Sequence, residues 1–147
     1  MPEQSYPEPT VGGLIFNPEG KLFLMRSHKW KDSYTVPGGH IELGERIEDT
    51  LKREIKEETG LDIYDLEFLL FQEFIFDDSF WQDRHFIFFD FAAKTNSTEV
   101  TLNDEAQDYI WVSLDDVFNL KMDEYTRRAI NEYIRKKSME KSGNGAN

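Results

Sequence analysis

The sequence contains no cysteine, which removes disulfide bonds, thiolate metal sites and thiol nucleophiles together. It also lacks any apolar run that approaches the roughly 20 residues of a membrane-spanning helix. Residues 1–10 carry proline and glutamate where a signal segment would be basic and then apolar. These absences favour a cytoplasmic protein that has no membrane partner.

Positive charge is also scarce, because 17 lysines and arginines stand against 29 aspartates and glutamates and leave a net charge of −12. Binding to a nucleic-acid backbone draws on clustered lysine and arginine, so nucleic acid is not an expected partner. The same negative field repels a free polyphosphate. A small phosphorylated substrate would therefore need a metal ion to neutralise its charge.

The length of 147 residues, 39% of them hydrophobic, suits one well-packed domain and is too short for two. Residues 1–10 hold three of the five prolines and are expected to form an extended N-terminal arm, whose end is a candidate edge strand. A single domain is expected over residues 11–137. Residues 138–147 are expected to form a flexible tail.

Residues 38–61 are the most informative stretch, because they pack six glutamates into one loop and one helix. From residue 46 to residue 59 there is no proline or glycine, and leucine, lysine, arginine, glutamate and isoleucine dominate, which predicts a helix. Gly60 follows at the position where a left-handed residue closes the last turn. The helix is therefore expected to end there.

Three carboxylates lie at the edge of the face that this helix buries. The apolar stripe is Ile47, Leu51 and Ile55, and the carboxylates beside it are Glu54, Glu57 and Glu58. Like charges at this spacing repel one another and partial burial adds a desolvation cost, so the arrangement requires a cation. Ligands that are all oxygen favour a hard divalent ion, Mg²⁺ or Mn²⁺.

The spacing of this stretch resembles a complete Nudix box, the signature of pyrophosphohydrolases that cleave nucleoside diphosphates linked to another group. The matching positions are Gly39, Glu45, Arg53, Glu54, Glu57, Glu58, Gly60 and Leu61. The resemblance implies a MutT-like α/β/α sandwich with a mixed β-sheet. It also implies an enzyme whose partner is a small nucleotide substrate.

The box also suggests roles for individual side chains. A metal ion held by Glu54, Glu57 and Glu58 would bridge diphosphate oxygens and lower the pKa of a bound water. Arg53 is expected to brace Glu45 or Glu57 by ion pairing and not to touch the substrate. The proton acceptor is a box glutamate or Glu105, since related enzymes often recruit one further glutamate from this part of the chain.

Five residues are candidate substrate contacts. Gly38 and Gly39 allow the backbone to approach a diphosphate and its metal closely. Arg26 ends a strand where related enzymes often place a basic residue near the phosphates, although a solvated arginine fits that position equally well. Phe80 and Trp81 are candidates to stack on a nucleobase or to build a dimer contact, the simpler interpretation of the surrounding phenylalanines being a sheet core.

The rest of the chain shows strand patterns and one further helix. Strands at 11–17 and 21–26 are predicted to form a hairpin, because the Asn-Pro-Glu-Gly sequence between them suits a type I turn. Residues 62–76 and 84–93 are predicted to form a second hairpin, apolar on both faces and so buried on both. Helical spacing of apolar residues predicts a helix at 123–137.

The substrate is narrowed mainly by features that the sequence lacks. All five prolines lie at or before Pro37, so the downstream proline of ADP-ribose pyrophosphatases is missing. No tyrosine lies between Tyr64 and Tyr109, which disfavours the dinucleoside polyphosphate type, and the arginine-rich pattern of coenzyme A pyrophosphatases is absent before Pro37. A nucleoside triphosphate cut to a monophosphate and pyrophosphate is what remains.

Two other functions stay open at this stage. One is cleavage of ADP-ribose or another nucleotide sugar by a protein without the usual marker. The other is a nucleotide-sensing Nudix module that does not cleave, although such modules typically lose box carboxylates and this sequence loses none. A homodimer through the long apolar hairpin is also left open.

Overall fold

The computed structural model describes residues 4–145, with side chains described up to residue 142. These residues form seven strands and two α-helices, joined by loops that include two short 3-10 turns. In chain order the elements are β1 (Glu8–Phe16), β2 (Leu22–Ser27), β3 (Ser33–Thr35), β4 (Gly38–His40), α1 (Ile47–Thr59), β5 (Ile63–Ile75), β6 (His85–Thr95), β7 (Asp108–Val112) and α2 (Glu124–Gly145).

The strands form one mixed sheet in the order β3-β2-β1-β6-β5, with β4 paired to β1 and β7 paired to β2. Strands β1 and β6 run parallel, and the other pairs are antiparallel. Alternate residues of a strand face opposite sides. Accordingly Val11 and Ile15 pack against α1, whereas Leu14 packs in the cluster on the α2 side. The predicted α/β/α sandwich is confirmed.

The first hairpin forms as its turn sequence predicts. The Gly20 amide donates to the Asn17 carbonyl at 2.9 Å, and the Asn17 side chain accepts from the amides of Glu19 and Lys21. Gly20 has a positive φ of 77°, a conformation that favours glycine. The turn therefore fixes the register of β1 and β2.

Helix α1 ends at Gly60 in the left-handed conformation, as predicted, with the Gly60 amide donating to the Lys56 carbonyl. Leu51 and Ile55 of the predicted apolar stripe are fully buried. Ile47 is 36% exposed, because it is the first residue of the helix and the buried stripe begins one turn later. This face of α1 holds the helix against β1.

The expectation that the long second hairpin is buried on both faces is wrong for β5. Leu69 and Phe74 are buried, but Phe68, Phe71 and Ile75 are 46%, 60% and 55% exposed. Strand β5 lies at the end of the sheet order, and two irregularities in its pairing with β6 interrupt the simple alternation of faces. One face of β5 therefore presents apolar side chains to solvent.

The ends of the chain also differ from their sequence-based description. Strand β1 begins at Glu8, inside the predicted arm, and it is a central strand because β6 pairs with it along its length. Pro9 has no amide hydrogen to donate, and its carbonyl accepts from the Ile41 amide. Helix α2 continues to Gly145, within the predicted tail, since no proline interrupts it. Residues 1–3 and 146–147 of those two segments lie outside the described residues.

No helix within residues 4–145 combines the length and the apolar content needed to cross a membrane.

Candidate active site

A cavity of about 410 Å³ connects the box helix with the α2 side of the sheet. One end is lined by Glu54 and Glu58 of α1 and by Gly38 and Gly39 of β4. The other end is lined by aromatic and acidic residues, namely Trp30, Phe80, Phe86, Phe88, Asp90, Asp123 and Tyr125. An acidic end and an aromatic end thus share one space.

Glu58 is the most deeply placed of the box carboxylates, with only 3% of its surface exposed. Its Oε2 accepts a hydrogen bond of 3.2 Å from the Gly38 amide. Burial, and then the neighbouring carboxylates of Glu54 and Glu105, raise the pKa of Glu58 well above its ordinary range. Ionising Glu58 beside Glu54 is therefore costly without a counter-charge, which is the setting that a bound cation relieves.

Arg53 holds several of the surrounding carboxylates in place. Its Nε donates to Glu45 Oε2 at 2.6 Å and its Nη2 to Glu45 Oε1 at 2.9 Å, while Nη1 donates to Glu54 Oε1 at 2.9 Å. Nη1 also lies 3.3 Å from a carboxylate oxygen of Glu57. The Arg53 hydrogen bond is the main reason that the pKa of Glu45 is lowered to about 2. Arg53 thus pairs with both predicted glutamates and with Glu54 as well.

Glu57 is not brought into the cavity. Its side chain is 54% exposed and lies on Arg53, four residues earlier, a spacing that favours an ion pair on a helix. Within residues 4–145, no three carboxylate or imidazole groups lie together as a ready metal cage. The structure therefore brings together two of the three predicted ligands, Glu54 and Glu58.

The donors that converge still fit a divalent ion in kind. Carboxylate oxygens are the ligands that Mg²⁺ and Mn²⁺ prefer, and Mg²⁺ is usually held by one or two carboxylates while it keeps several waters. The crowded pair of Glu54 and Glu58, with Glu57 one helical turn from Glu54, matches that description.

Glycine is required at positions 38 and 39 because neighbouring groups lie too close for any side chain. A Cβ on Gly39 would overlap the carboxyl group of Glu54, and a Cβ on Gly38 would overlap the Val11 carbonyl. Both glycines are predicted substrate contacts. Their immediate structural effect is to let β4 lie against β1 and against the carboxylate of α1.

Lys29 and Glu105 meet at the rim of the cavity, where Lys29 Nζ donates to Glu105 Oε2 at 2.7 Å. Lys29 is the only lysine or arginine among the residues that line the cavity. The Trp81 amide donates to the Lys29 carbonyl at 2.8 Å and ties the two loops together. Lys29 is not among the substrate contacts predicted from the sequence, because a lysine in a polar loop is more commonly solvated than bound to phosphate.

Two of the predicted substrate contacts lie outside the cavity. Arg26 pairs with Asp108 at 2.6 Å, because β7 places that aspartate directly opposite it on the neighbouring strand. Trp81 is 48% exposed and packs edge-on against His28 at 5.5 Å. Phe80 does line the cavity, in contact with Trp30 at a centroid distance of 4.8 Å.

Two buried acids at the aromatic end were missed by the sequence analysis. Asp90 is 6% exposed and burial raises its pKa to about 7, the nearby Asp123 adding to the effect. Burial also raises the pKa of Asp123 itself. The signal available in the sequence was a single acid, Asp90, in the middle of the apolar run of β6.

Comparisons with known proteins agree with this architecture. Residues 6–133 match the NUDIX domain family. Nucleoside triphosphatase NudI of Escherichia coli (strain K12) is 32% identical over 103 residues, which cover 66% of this chain and 73% of that protein. The MutT protein of Methanosarcina mazei Go1 superposes with a TM-score of 0.75 at 22% identity, covering 92% of this chain and 99% of its own. The NUDIX domain of Shewanella oneidensis NrtR, solved with ADP-ribose, gives a TM-score of 0.75 at 18% identity, covering 90% of each chain.

The sandwich fold, the acidic cavity and these relatives define a MutT-like pyrophosphohydrolase domain. Such enzymes act on small nucleotide substrates and generally use divalent metal ions such as Mg²⁺ or Mn²⁺. The chain belongs to the Nudix family, as the box from Gly39 to Leu61 predicts.

Proposed function

We propose that the protein is a metal-dependent hydrolase of nucleoside triphosphates that releases a nucleoside monophosphate and pyrophosphate. The observation that carries the proposal is the single cavity that joins the Glu54 and Glu58 carboxylates to an aromatic chamber. A nucleotide has the same division, with a charged polyphosphate at one end and a flat ring at the other. The similarity to a protein named nucleoside triphosphatase supports a triphosphate substrate.

Glu54 and Glu58, with Glu57 nearby as a third ligand, would hold Mg²⁺ or Mn²⁺. When bound, the ion would act as a Lewis acid that draws negative charge from the phosphate oxygens and lowers the pKa of the attacking water. Arg53 keeps the Glu54 carboxylate in position through their 2.9 Å hydrogen bond. The protein's own part at this end is thus to fix the carboxylates and to exclude bulk water from them.

Lys29 and Glu105 have separate roles at the rim of the cavity, one in binding phosphate and the other in accepting a proton. When Lys29 leaves Glu105, its ammonium donates to the phosphate oxygens of the substrate. Glu105 is then free to accept the proton of the attacking water. At the other end, Phe80 and Trp30 form walls against which the nucleobase packs.

A substrate panel tests the proposal and separates it from its rivals. The panel comprises the common NTPs and dNTPs, oxidised and methylated dNTPs, ADP-ribose, nucleotide sugars, dinucleoside polyphosphates and coenzyme A, each with Mg²⁺, Mn²⁺ or chelator. Chromatography should show a monophosphate and pyrophosphate from a triphosphate, only in the presence of metal. Cleavage confined to ADP-ribose or a nucleotide sugar would overturn the triphosphate assignment. Nucleotide binding without turnover of any substrate would make the protein a sensing module.

We further propose that two copies pair through the exposed face of β5. Phe68, Phe71 and Ile75 are all at least 46% exposed on a strand at the edge of the sheet, and such strands readily add a second chain. A twofold axis would place the same residues on both sides of the contact. Sedimentation should show a dimer that Phe71→Lys dissociates, with Tyr6→Lys, which changes an exposed residue elsewhere, as control. A monomer at all concentrations would contradict this assignment.

A further inference from the structure

The aromatic end of the cavity contains an acid that the proposed hydrolysis does not use. Asp90 projects from β6 toward the α2 side, and its Oδ2 accepts from Gln72 Nε2 at 3.0 Å. Gln72 is itself fixed, because Nε2 also donates to the Tyr125 carbonyl at 2.9 Å. A buried carboxyl held by a side chain that is itself fixed is a rigid group and not a solvated surface acid.

The other oxygen of Asp90 is available to a ligand. Asp90 Oδ1 lies against Gly12, where an added Cβ would come within 2.9 Å of it. No side chain or backbone amide within residues 4–145 makes a hydrogen bond to this oxygen. Asp90 and Gly12 both line the cavity, so this oxygen lies where two residues of the cavity wall meet.

Asp123 stands beside Asp90 but is already satisfied by its own segment. Its Oδ1 accepts from the Thr126 amide at 2.9 Å and its Oδ2 accepts from Thr126 Oγ1 at 2.7 Å. Together with hydrogen bonds from Thr35 and the Tyr125 backbone, these two oppose the effect of burial on the pKa of Asp123. Within residues 4–145, Asp90 has only the hydrogen bond from β5. Burial, and then the nearby Asp123, favour the protonated form of Asp90 and raise its pKa to about 7. A protonated carboxyl offers a donor and an acceptor side by side.

The chemistry of this end excludes the polyphosphate and suits a nucleobase. Two carboxyl groups repel phosphate, and Lys29, the lysine of the cavity lining, lies at the rim by Glu105. Aromatic rings form the walls around Asp90. The centroid of the Phe88 ring lies 5.5 Å from the ring centroids of both Phe86 and Tyr125. A planar heterocycle with polar atoms on its edge meets both requirements.

We propose that Asp90 is a specificity-determining residue that donates its carboxyl O–H to a ring nitrogen or carbonyl oxygen on the edge of the nucleobase. The site therefore selects bases that present a hydrogen-bond acceptor on this edge, and it does so only while Asp90 keeps its proton. This inference rests on the proposed nucleotide substrate but concerns its base and not its phosphates.

Other charged and titratable groups also lie around the cavity and could contribute to a pH dependence. Asp123 faces Asp90 from the segment before α2, and Tyr125 of α2 has its phenol bound to Asp77 at 2.9 Å. The other charged or titratable residues of the cavity lining are Lys29, His40, Glu42, Glu54, Glu58 and Glu105. A substitution at Asp90 alone therefore isolates its contribution to any pH dependence.

The test is binding of nucleoside 5′-monophosphates in the presence of chelator, measured by calorimetry from pH 5.5 to pH 9. Monophosphates of cytosine, uracil, adenine and guanine are compared in the wild type, Asp90→Asn and Asp90→Leu, with exposed Asp115→Asn as control. For the preferred base, wild-type affinity should fall about tenfold for each pH unit above 7, since only the protonated fraction binds. The ligand phosphate titrates in all variants alike, so ratios between variants remove it.

Asp90→Asn keeps a permanent donor, and its affinity relative to the wild type should rise about tenfold per pH unit above 7. Asp90→Leu should lose preference among the bases at every pH, and Asp115→Asn should follow the wild type. A constant Asn-to-wild-type ratio across the pH range would overturn the inference, as would unchanged base preference in Asp90→Leu or failure of the wild type to bind any monophosphate. Because no metal is present, failed hydrolysis with this binding pattern would sink the proposed function and leave the inference standing.

Discussion

Substitution of Asp90 by asparagine should change how the stability of the protein depends on pH. In an unfolded chain this carboxyl titrates near its ordinary 3.8, and in the folded protein burial raises its pKa to about 7. A carboxyl with a raised pKa holds its proton more tightly in the folded state. Its favourable contribution is therefore complete below about pH 4 and is lost as the pH rises to about 7.

The size of this effect follows from the two pKa values. Each tenfold difference in proton affinity corresponds to about 1.4 kcal/mol, so moving from 3.8 to about 7 gives a loss of about 4 kcal/mol between those pH values. Asp90 is 6% exposed, so solvent screening reduces this figure little. Asparagine is nearly isosteric, keeps the acceptor for Gln72, and never ionises.

Urea unfolding at pH 5, 6, 7 and 8 measures the difference directly. The free energy of unfolding of Asp90→Asn relative to the wild type should rise by about 2.6 kcal/mol across this range, with the two proteins closest at pH 5. The remaining part of the effect, about 1.7 kcal/mol, falls below pH 5. Asp115→Asn, at an exposed position, should run parallel to the wild type. Parallel curves for Asp90→Asn and the wild type would show that Asp90 is ionised throughout and would refute the reasoning.

Three other substitutions address the acidic end of the cavity. Lys29→Met should raise KM for a triphosphate about tenfold in steady-state kinetics, because one charge-assisted contact is lost, whereas the control Lys31→Met should keep the wild-type KM. A wild-type KM in Lys29→Met would exclude contact between Lys29 and the phosphates. Lysine in Arg53→Lys cannot make the paired hydrogen bonds to Glu45. The affinity for Mn²⁺, measured by calorimetry, should therefore fall about tenfold to a hundredfold. An Mn²⁺ affinity equal to that of the wild type would show that Arg53 does not brace the carboxylates. Gly39→Ala should displace the Glu54 carboxyl and lower kcat about tenfold or more, while circular dichroism shows that the variant is folded. An unchanged kcat would show that the carboxyl tolerates displacement.

The parts of the fold that sequence patterns predict are those fixed by local chemistry. Helix α1 ends at Gly60 because a left-handed residue is needed there, and the first hairpin turns at Gly20 for a similar reason. The exposure of Phe71 was not predictable in this way. It depends on the irregular pairing of β5 with β6 and on which strand ends the sheet, and neither is written in the local pattern.

The same distinction holds for the candidate site. Glu54 and Glu58 lie four residues apart, so helical geometry alone places them together. Arg26 is drawn away by Asp108, 82 positions later, and this pairing depends on β7 lying beside β2. Asp90 and Asp123 are 33 positions apart in the sequence and lie in different parts of the fold, so their proximity could be seen only in the three-dimensional arrangement.

The central claim is that the buried pair of Glu54 and Glu58 is the catalytic centre for nucleotide hydrolysis. Product formation from the preferred triphosphate in Mg²⁺ should be compared between the wild type, Glu58→Gln and Glu48→Gln, whose side chain is exposed on the same helix. We predict that Glu58→Gln lowers kcat by about 10² or more without loss of folded structure, and that Glu48→Gln matches the wild type. Monophosphate and pyrophosphate release by Glu58→Gln at the wild-type rate would contradict the account.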